Sequence, residues 1–443
     1  MNPKKAMLPV KRKASGAFMG KLNVDDLKEG MVLAADVCGR DGRTLLGAGA
    51  ALQERHLRIF KAWGVTEADI EGVDRSDMEQ EHEAELPPEV LEAARARVDA
   101  RMGRHGGSEL EHELRRITTL RLSARILHDG MPETEELDYG ALRACAAKDS
   151  FDKDRTSVHS VVDDQVQLLS FPDIYFRIVK VLESPSSSSR KLAEVVSTDA
   201  SLAARLLRLV NSPFYGFPSK IDSIARAITL IGANELVTLA LGISVMRVFS
   251  GVPSGGFNMR RFWEHSILCG LFSRLIAGHK MGLSEERLFV GGLLHDLGEL
   301  LMLSRHPRTM CRTMVYAHEQ QVPLYQAEKA VFGFDHAGAG SLLLNRWNLP
   351  DGLVRMVGYH HLPDRVRAPL EASVVHVADI MSFLFRIEDV PAGMVLSGLN
   401  GAAINKLGLA PSAVQTMMAQ AGRQFEAISG VFFDTGQEAR EKA

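Results

Sequence analysis

This 443-residue sequence predicts a mainly α-helical protein, with a small α/β module near its N-terminal end and a helical linker joining the module to a many-helix bundle. Three observations carry that prediction. From about Ser157 onward, apolar residues recur at helical spacing in segments separated by short Gly, Pro or Ser punctuation. No convincing alternating strand pattern interrupts that region. Between Leu22 and Val73, in contrast, short strand-like runs flank a turn signal. The length exceeds what one compact core holds and suits two or three domains. We divide the chain into a basic tail (1–20), an α/β module (21–74), a helical linker (75–156), a helical domain (157–390) and a C-terminal helical extension (391–443).

Taken in order, the tail carries Lys4, Lys5, Lys11, Arg12 and Lys13 with no apolar run of signal-peptide length behind them, so it reads as solvated. In the module, Met31 to Val37 is strand-like, Asp41-Gly42 is a hairpin turn, and Thr44 to Leu46 returns alongside. Leu57, Phe60 and Trp63 then share a helix face over Glu54 to Trp63, Gly64 ends that helix, and Val65 to Ile70 supplies another strand. Residues 75 to 150 are charged and broken by Pro87-Pro88 and Gly106-Gly107, with helical runs near Glu89 to Met102 and Glu109 to His128. His128-Asp129-Gly130 imitates a metal-binding dipeptide but reads as an exposed helix end. Beyond it, Ser186 to Ser189 is a turn, Pro172 starts a helix with Ile174, Ile178, Val181 and Leu182 on its apolar side, and Asp199 caps the next. Asn211-Ser212-Pro213 stops that helix, Ser223 restarts the chain and Gly232 ends the following run. The apolar window Leu236 to Phe249 is bounded by Glu235, interrupted by Arg247 and shorter than the roughly 20 residues that cross a bilayer, which makes it a core helix.

Composition sets further bounds. With 46% hydrophobic residues and a formal charge of -3, the chain lacks the positive excess expected of a protein whose main partner is nucleic acid. Cys38, Cys145, Cys269 and Cys311 are far apart and form no Cys-x-x-Cys, which argues against a disulfide framework or zinc ribbon and fits a reducing cytoplasm. The expectation is a soluble cytoplasmic protein without a membrane span.

The chemistry-bearing residues are His265, the dipeptide His295-Asp296, His336, the pair His360-His361, and Asp379. Imidazole nitrogens and carboxylate oxygens are the usual ligands of zinc, iron and manganese, and separate helices could bring such distant residues to one point. A lone histidine on an apolar helix is more often a hydrogen-bonded core residue. On that ground His279, His306 and His318 read as surface residues and His376 as an ordinary helix-face histidine. Gly251 to Gly256 lacks a Walker lysine and reads as a surface loop, Ser266 needs no nucleophilic role, and Arg205 and Arg208 read as solvated.

Ordered segments along more than 200 residues resemble the HDOD domain, the HD-related output domain of bacterial signalling proteins. They run from Leu192-Ala193-Glu194-Val195-Val196-Ser197-Thr198-Asp199 through Leu206-Leu207-Arg208-Leu209-Val210-Asn211-Ser212 and Tyr215-Gly216 to Ala227-Ile228 with Leu230-Ile231-Gly232. Trp263, Gly292-Leu293-Leu294-His295-Asp296-Leu297-Gly298, Trp347 with Leu349-Pro350, His360-His361 and Ala378-Asp379 continue the pattern. The module, with Leu27-Lys28-Glu29-Gly30-Met31, resembles the small domain that often precedes HD-GYP phosphodiesterase domains.

The resemblance implies the all-helical phosphohydrolase fold of the HD superfamily, in which histidines and aspartates hold divalent metal, here iron, manganese or zinc. His265, His295, Asp296 and Asp379 align with its basic set, and His336, His360 and His361 with additional ligand positions of HD-GYP enzymes. Asp296 is the bridging candidate for two metals and the one catalytic candidate. Metal in such a site activates water and offsets charge on phosphate oxygens. Two departures count against cyclic-dinucleotide hydrolysis: Glu299 stands where HD-GYP enzymes usually have Lys, and Leu362-Pro363-Asp364-Arg365 replaces the Gly-Tyr-Pro signature. The expectation is therefore a signal-transduction protein acting through binding or conformational change, with a signalling protein or a small nucleotide as partner. A metal-dependent phosphohydrolase or cyclic-dinucleotide phosphodiesterase is the alternative.

Overall fold

The computed structural model describes residues 19–24, 27–38, 44–62, 65, 67–71, 86–103, 107–132, 137–151, 156–166, 172–184, 188–217, 219–249, 258–280 and 282–433. They form two compact units, Met1–Pro87 and Pro88–Ala443.

In the first unit, β1 (Met19–Asn23) pairs antiparallel with β4 (Glu67–Glu71) in the register Met19↔Glu71 to Asn23↔Glu67. The short strands β2 (Val37–Cys38) and β3 (Thr44–Leu46) pair antiparallel as the hairpin reading required, and α1 (Glu54–Ala62) follows. Of the strand-like stretch before β2, Val32 and Leu33 make only isolated bridges. Leu22, Leu33, Leu52, Phe60 and Ile70 form the small core. Strand β1 was not anticipated, because its first residues lie in the expected basic tail and its partner is remote in sequence. Asp41-Gly42, Trp63, Gly64 and the Gly251 to Gly256 loop lie outside the described residues.

The second unit is helical throughout its described residues. Its first helices, α2 (Pro88–Met102) and α3 (Glu109–Asp129), fall where the charged segment predicted them. They bury Ala94, Val98, Leu114 and Ile117, and Arg115 ties one to the other through Asp99 at 2.9 Å and the Gly103 carbonyl at 2.6 Å. The pair also joins the body of the unit: the Leu396 N–H donates to the Arg101 carbonyl at 3.0 Å, and Arg97 donates to the Glu388 carbonyl at 3.3 Å. His128 is exposed at the end of α3, where Gly130 closes the helix with φ 82°.

Next come α4 (Tyr139–Ala146), α5 (Val158–Val166), α6 (Asp173–Leu182), α7 (Ser189–Ser197), α8 (Ala200–Val210), α9 (Ile224–Ile231) and α10 (Ala233–Val248). The capping predictions hold: Asp199 accepts the Leu202 N–H at 2.9 Å, Ser223 accepts from Arg226, and Gly232 closes α9. Ser188 caps α7, while Ser186 and Ser187 lie outside the described residues. Helix α10 buries Leu236, Leu241 and Val245 on successive faces, and each such side chain contributes roughly 1.5–3 kcal/mol by leaving water. Among the described residues no single helix is long and apolar enough to cross a membrane. Arg205, expected in solvent, is buried.

The remaining helices build the centre of the unit: α11 (Met259–Gly278), α12 (Glu285–Leu294), α13 (Leu297–Arg305), α14 (Pro307–Gln320), α15 (Leu324–Phe332), α16 (His336–Arg346), α17 (Asp351–Tyr359), α18 (Leu370–Phe385), α19 (Gly401–Leu407) and α20 (Ser412–Phe433). Helices α11 and α12 approach backbone to backbone. A Cβ at Gly292 would sit 2.7 Å from the Cys269 carbonyl carbon and oxygen, so only glycine permits that approach. Cys145 on α4 and Cys311 on α14 form a disulfide with Cα atoms 6.1 Å apart, contrary to the expectation from their spacing. A separation of 166 residues hides in the sequence what helix packing brings together.

Candidate metal centre

The predicted ligands are delivered by several separate helices, and only His360 and His361 share one. His265 lies on α11, His295 closes α12, Asp296 opens α13, His336 opens α16, and Asp379 lies on α18. His360 and His361 follow the last residue of α17; His360 keeps helical backbone angles, φ -63° and ψ -26°, and both side chains face inward.

All seven converge. His265 Nε2 lies 3.1 Å from Asp379 Oδ1, 3.3 Å from His295 Nε2 and 3.5 Å from Asp296 Oδ2. His295 Nε2 is 3.0 Å from Asp296 Oδ2 and 3.4 Å from Asp379 Oδ1. The second oxygen of Asp296 faces the other half of the cluster, with Oδ1 3.2 Å from His336 Nε2 and 3.7 Å from His360 Nε2. His361 Nε2 completes that half at 2.8 Å from His336 Nε2. Asp296 thus stands between two groups of donors, one oxygen toward each.

The outer partners fix how the rings present themselves. His295 Nδ1–H donates to the Gly292 carbonyl and His360 Nδ1–H to the Val357 carbonyl, each at 2.7 Å. Ser382 Oγ donates to the Asp379 carbonyl at 2.6 Å and accepts His265 Nδ1–H at 2.9 Å. His336 Nδ1–H is held by Glu328 Oε2 at 2.7 Å. With the Nδ1 protons committed outward, each neutral ring turns an Nε2 lone pair toward the centre. The 3.3 Å approach of His265 Nε2 to His295 Nε2 needs either a proton shared between them or a metal cation beside them, since two bare lone pairs would repel. His360 Nε2, fully buried, has no hydrogen-bond partner among the described residues. The donor set fits a divalent metal, and ligand atoms within its groupings lie within 4.8 Å of one another.

Protons respond to the same carboxylates that would attract a metal. Burial disfavours charge on His265, His295 and His336, yet the carboxylates of Asp296, Asp379 and Glu328 outweigh it and hold these imidazoles above their ordinary range. Burial likewise opposes ionisation of Asp296 and Asp379, but the surrounding histidines hold both well below the usual carboxylate range. Burial and the neighbouring His295 push His360 down to about 3 and keep it neutral. Glu299, which follows Gly298 on α13, is pushed up to about 8 by burial and then by Asp296.

His376, three residues before Asp379, is a structural histidine. Its Nδ1–H donates to the His360 carbonyl at 2.8 Å, and its Nε2 accepts the Asn400 N–H at 2.9 Å. His279 is exposed, whereas His306 and His318 are half-buried against Phe151 and Tyr139. Sequence reasoning missed Glu328 and Ser382. Glu328 left a trace: it occupies the apolar stripe of α15 between Ala327 and Val331, where a solvated glutamate is out of place.

Residues 168–363 match the model of the HDOD domain family, and the chain carries an HDOD domain. Six of the seven converging residues fall inside that match, and Asp379 lies beyond it. An uncharacterized protein of Treponema pallidum (strain Nichols) is 26% identical over 208 residues, covering 46% of this chain and 39% of that protein. The chain therefore spans about two-fifths of the length of the curated relative it matches. The crystal structure of an HDOD domain protein of unknown function from Geobacter sulfurreducens superposes with a TM-score of 0.50 at 23% identity, over 62% of this chain and 98% of that one. A candidate phosphohydrolase from Shewanella amazonensis SB2B gives a TM-score of 0.50 at 21% identity, over 62% of this chain and all of that one. These two likenesses show the fold.

Proposed function

We propose that this protein is a signalling protein whose HDOD domain holds two divalent cations and acts by binding and conformational change, engaging a signalling protein or a small nucleotide. The convergence of inward-facing Nε2 atoms on both oxygens of Asp296 carries the metal half of this reading. His265, His295 and Asp379 would hold one ion with Asp296 Oδ2, and His336, His360 and His361 the other with Asp296 Oδ1. The charge balance supports binding over turnover. Asp296, Asp379, Glu328 and Glu299 all lie in or against the centre, and two divalent ions would favour the ionised form of Glu299. Four negative charges offset two such ions and leave no excess positive field for a phosphate.

A phosphohydrolase is the second reading, favoured by the position of Asp296 between two donor groups. A divalent metal there supplies Lewis acidity toward a phosphoryl oxygen. The test measures metal content by elemental analysis and turnover of nucleotides and generic phosphoesters with added manganese, iron or zinc. Tightly held metal without turnover is expected. Turnover abolished in folded His295→Ala and Asp296→Ala variants would replace the binding reading with the hydrolase, and absence of metal uptake would defeat both.

A further inference from the structure

We propose that Glu328 is the positioning residue that makes His336 a ligand, and so determines whether the ion on the Asp296 Oδ1 side is held. This rests on the metal reading above.

Glu328 is fully buried on α15, and among the described residues both of its hydrogen bonds come from His336. Oε2 accepts His336 Nδ1–H at 2.7 Å and the His336 backbone N–H at 2.9 Å, while Oε1 has no hydrogen-bond partner among the described residues. A buried carboxylate with one free oxygen is a poor stabilising device, and an apolar side chain of similar size would cost the fold less. Its geometry is informative in another way. Within the centre, the other histidines whose Nδ1 is hydrogen-bonded donate to neutral acceptors, the Gly292 and Val357 carbonyls and the Ser382 hydroxyl. His336 alone among them donates to a carboxylate, which raises the basicity of its Nε2 toward the centre.

The two halves of the cluster differ in a way that gives this bond a purpose. The Oδ2 half has Asp379 as a carboxylate of its own, whereas the Oδ1 half consists of His336, His360 and His361 around the shared Asp296. Glu328 supplies negative charge to that half through the imidazole it holds. The link from α15 to α16 is fixed independently, by Lys329 paired with Asp335 at 2.7 Å and by Gly333 at φ 86°, so the carboxylate and the ring face each other before any ion arrives.

The experiment titrates Mn2+ into the full chain and follows it by electron paramagnetic resonance with a competing chelator. In the wild type, two ions give a spin-coupled signal. In Glu328→Gln, which keeps shape and removes charge, the weaker equivalent should lose about 10–100-fold in affinity and the coupled signal should disappear at concentrations that fill the first. His336→Ala should lose the same equivalent, and adding Glu328→Gln to it should cost nothing more. Undiminished coupling in Glu328→Gln, or a loss that adds to that of His336→Ala, overturns the assignment while leaving the metal reading intact. If Glu328→Gln does not fold, Glu328→Asp is read by the same criteria, because shortening the side chain withdraws the acceptor. A wild type that takes up no Mn2+, Zn2+ or Fe2+ sinks the metal reading and this inference with it.

Discussion

Replacing Gly298 by alanine tests whether the centre depends on the close contact of α13 with α16. A Cβ at position 298 would lie 2.7 Å from the Gly340 nitrogen and from the His336 carbonyl carbon, and nearer still to the His336 oxygen. Comfortable contact begins near ~3.5 Å, so the two backbones must separate by about 0.8 Å or more. Overpacking costs roughly 1–3 kcal/mol where side chains can adjust, and here the obstacle is backbone, which puts the cost at the upper end. Against this, Gly298 is the second residue of α13, where alanine recovers only part of the about 1 kcal/mol it gains over glycine in a helix interior. The net expectation is a destabilisation of about 2–3 kcal/mol, a fall of roughly 3–4 °C in Tm for a unit of this size, because the entropy of unfolding grows with chain length. The same displacement carries His336 away from Asp296, now 3.2 Å distant, and should weaken the ion on that side. Thermal unfolding by circular dichroism and a metal titration read the two effects. A Tm that stays level or rises would mean that the helices part freely, and would remove the packing rationale for glycine at this point.

Three further outcomes follow from the structure. Asp199→Ala removes the cap of α8 and the 2.9 Å pair with Arg247, and should cost about 1–2 kcal/mol in urea unfolding. Burial opposes ionisation of Asp199, but the Leu202 N–H and Arg247 outweigh it and lower its pKa. Its contribution is therefore present above the unfolded value near ~4 and is lost as pH falls through the folded one, so the gap between wild type and variant should close in acid. Cys311→Ser should lower stability by about 2–5 kcal/mol in oxidised protein and leave reduced protein almost unchanged, and denatured oxidised wild type should titrate only the thiols of Cys38 and Cys269. His376→Ala strands the His360 carbonyl and the Asn400 N–H, and should cost about 2–4 kcal/mol in chemical unfolding, with wild-type stability the result that refutes it.

Much of the helical unit was legible because its signals are local. A cap such as Asp199, Ser223 or Gly232 acts within one turn of its own helix, and apolar spacing reports which face is buried whatever it packs against. Strand β1 escaped because a strand is completed by a remote partner, here β4. The identities of the seven converging residues were readable in the same way, as residue types in an order that resembles a family. Their chemistry was not. Which imidazole nitrogen faces inward, which oxygen of Asp296 faces which half, and the holding of His336 by Glu328 depend on contacts between helices. So does the pairing of Cys145 with Cys311. Hydrogen bonds act over about 3 Å and carry no sequence periodicity, so packing alone settles them.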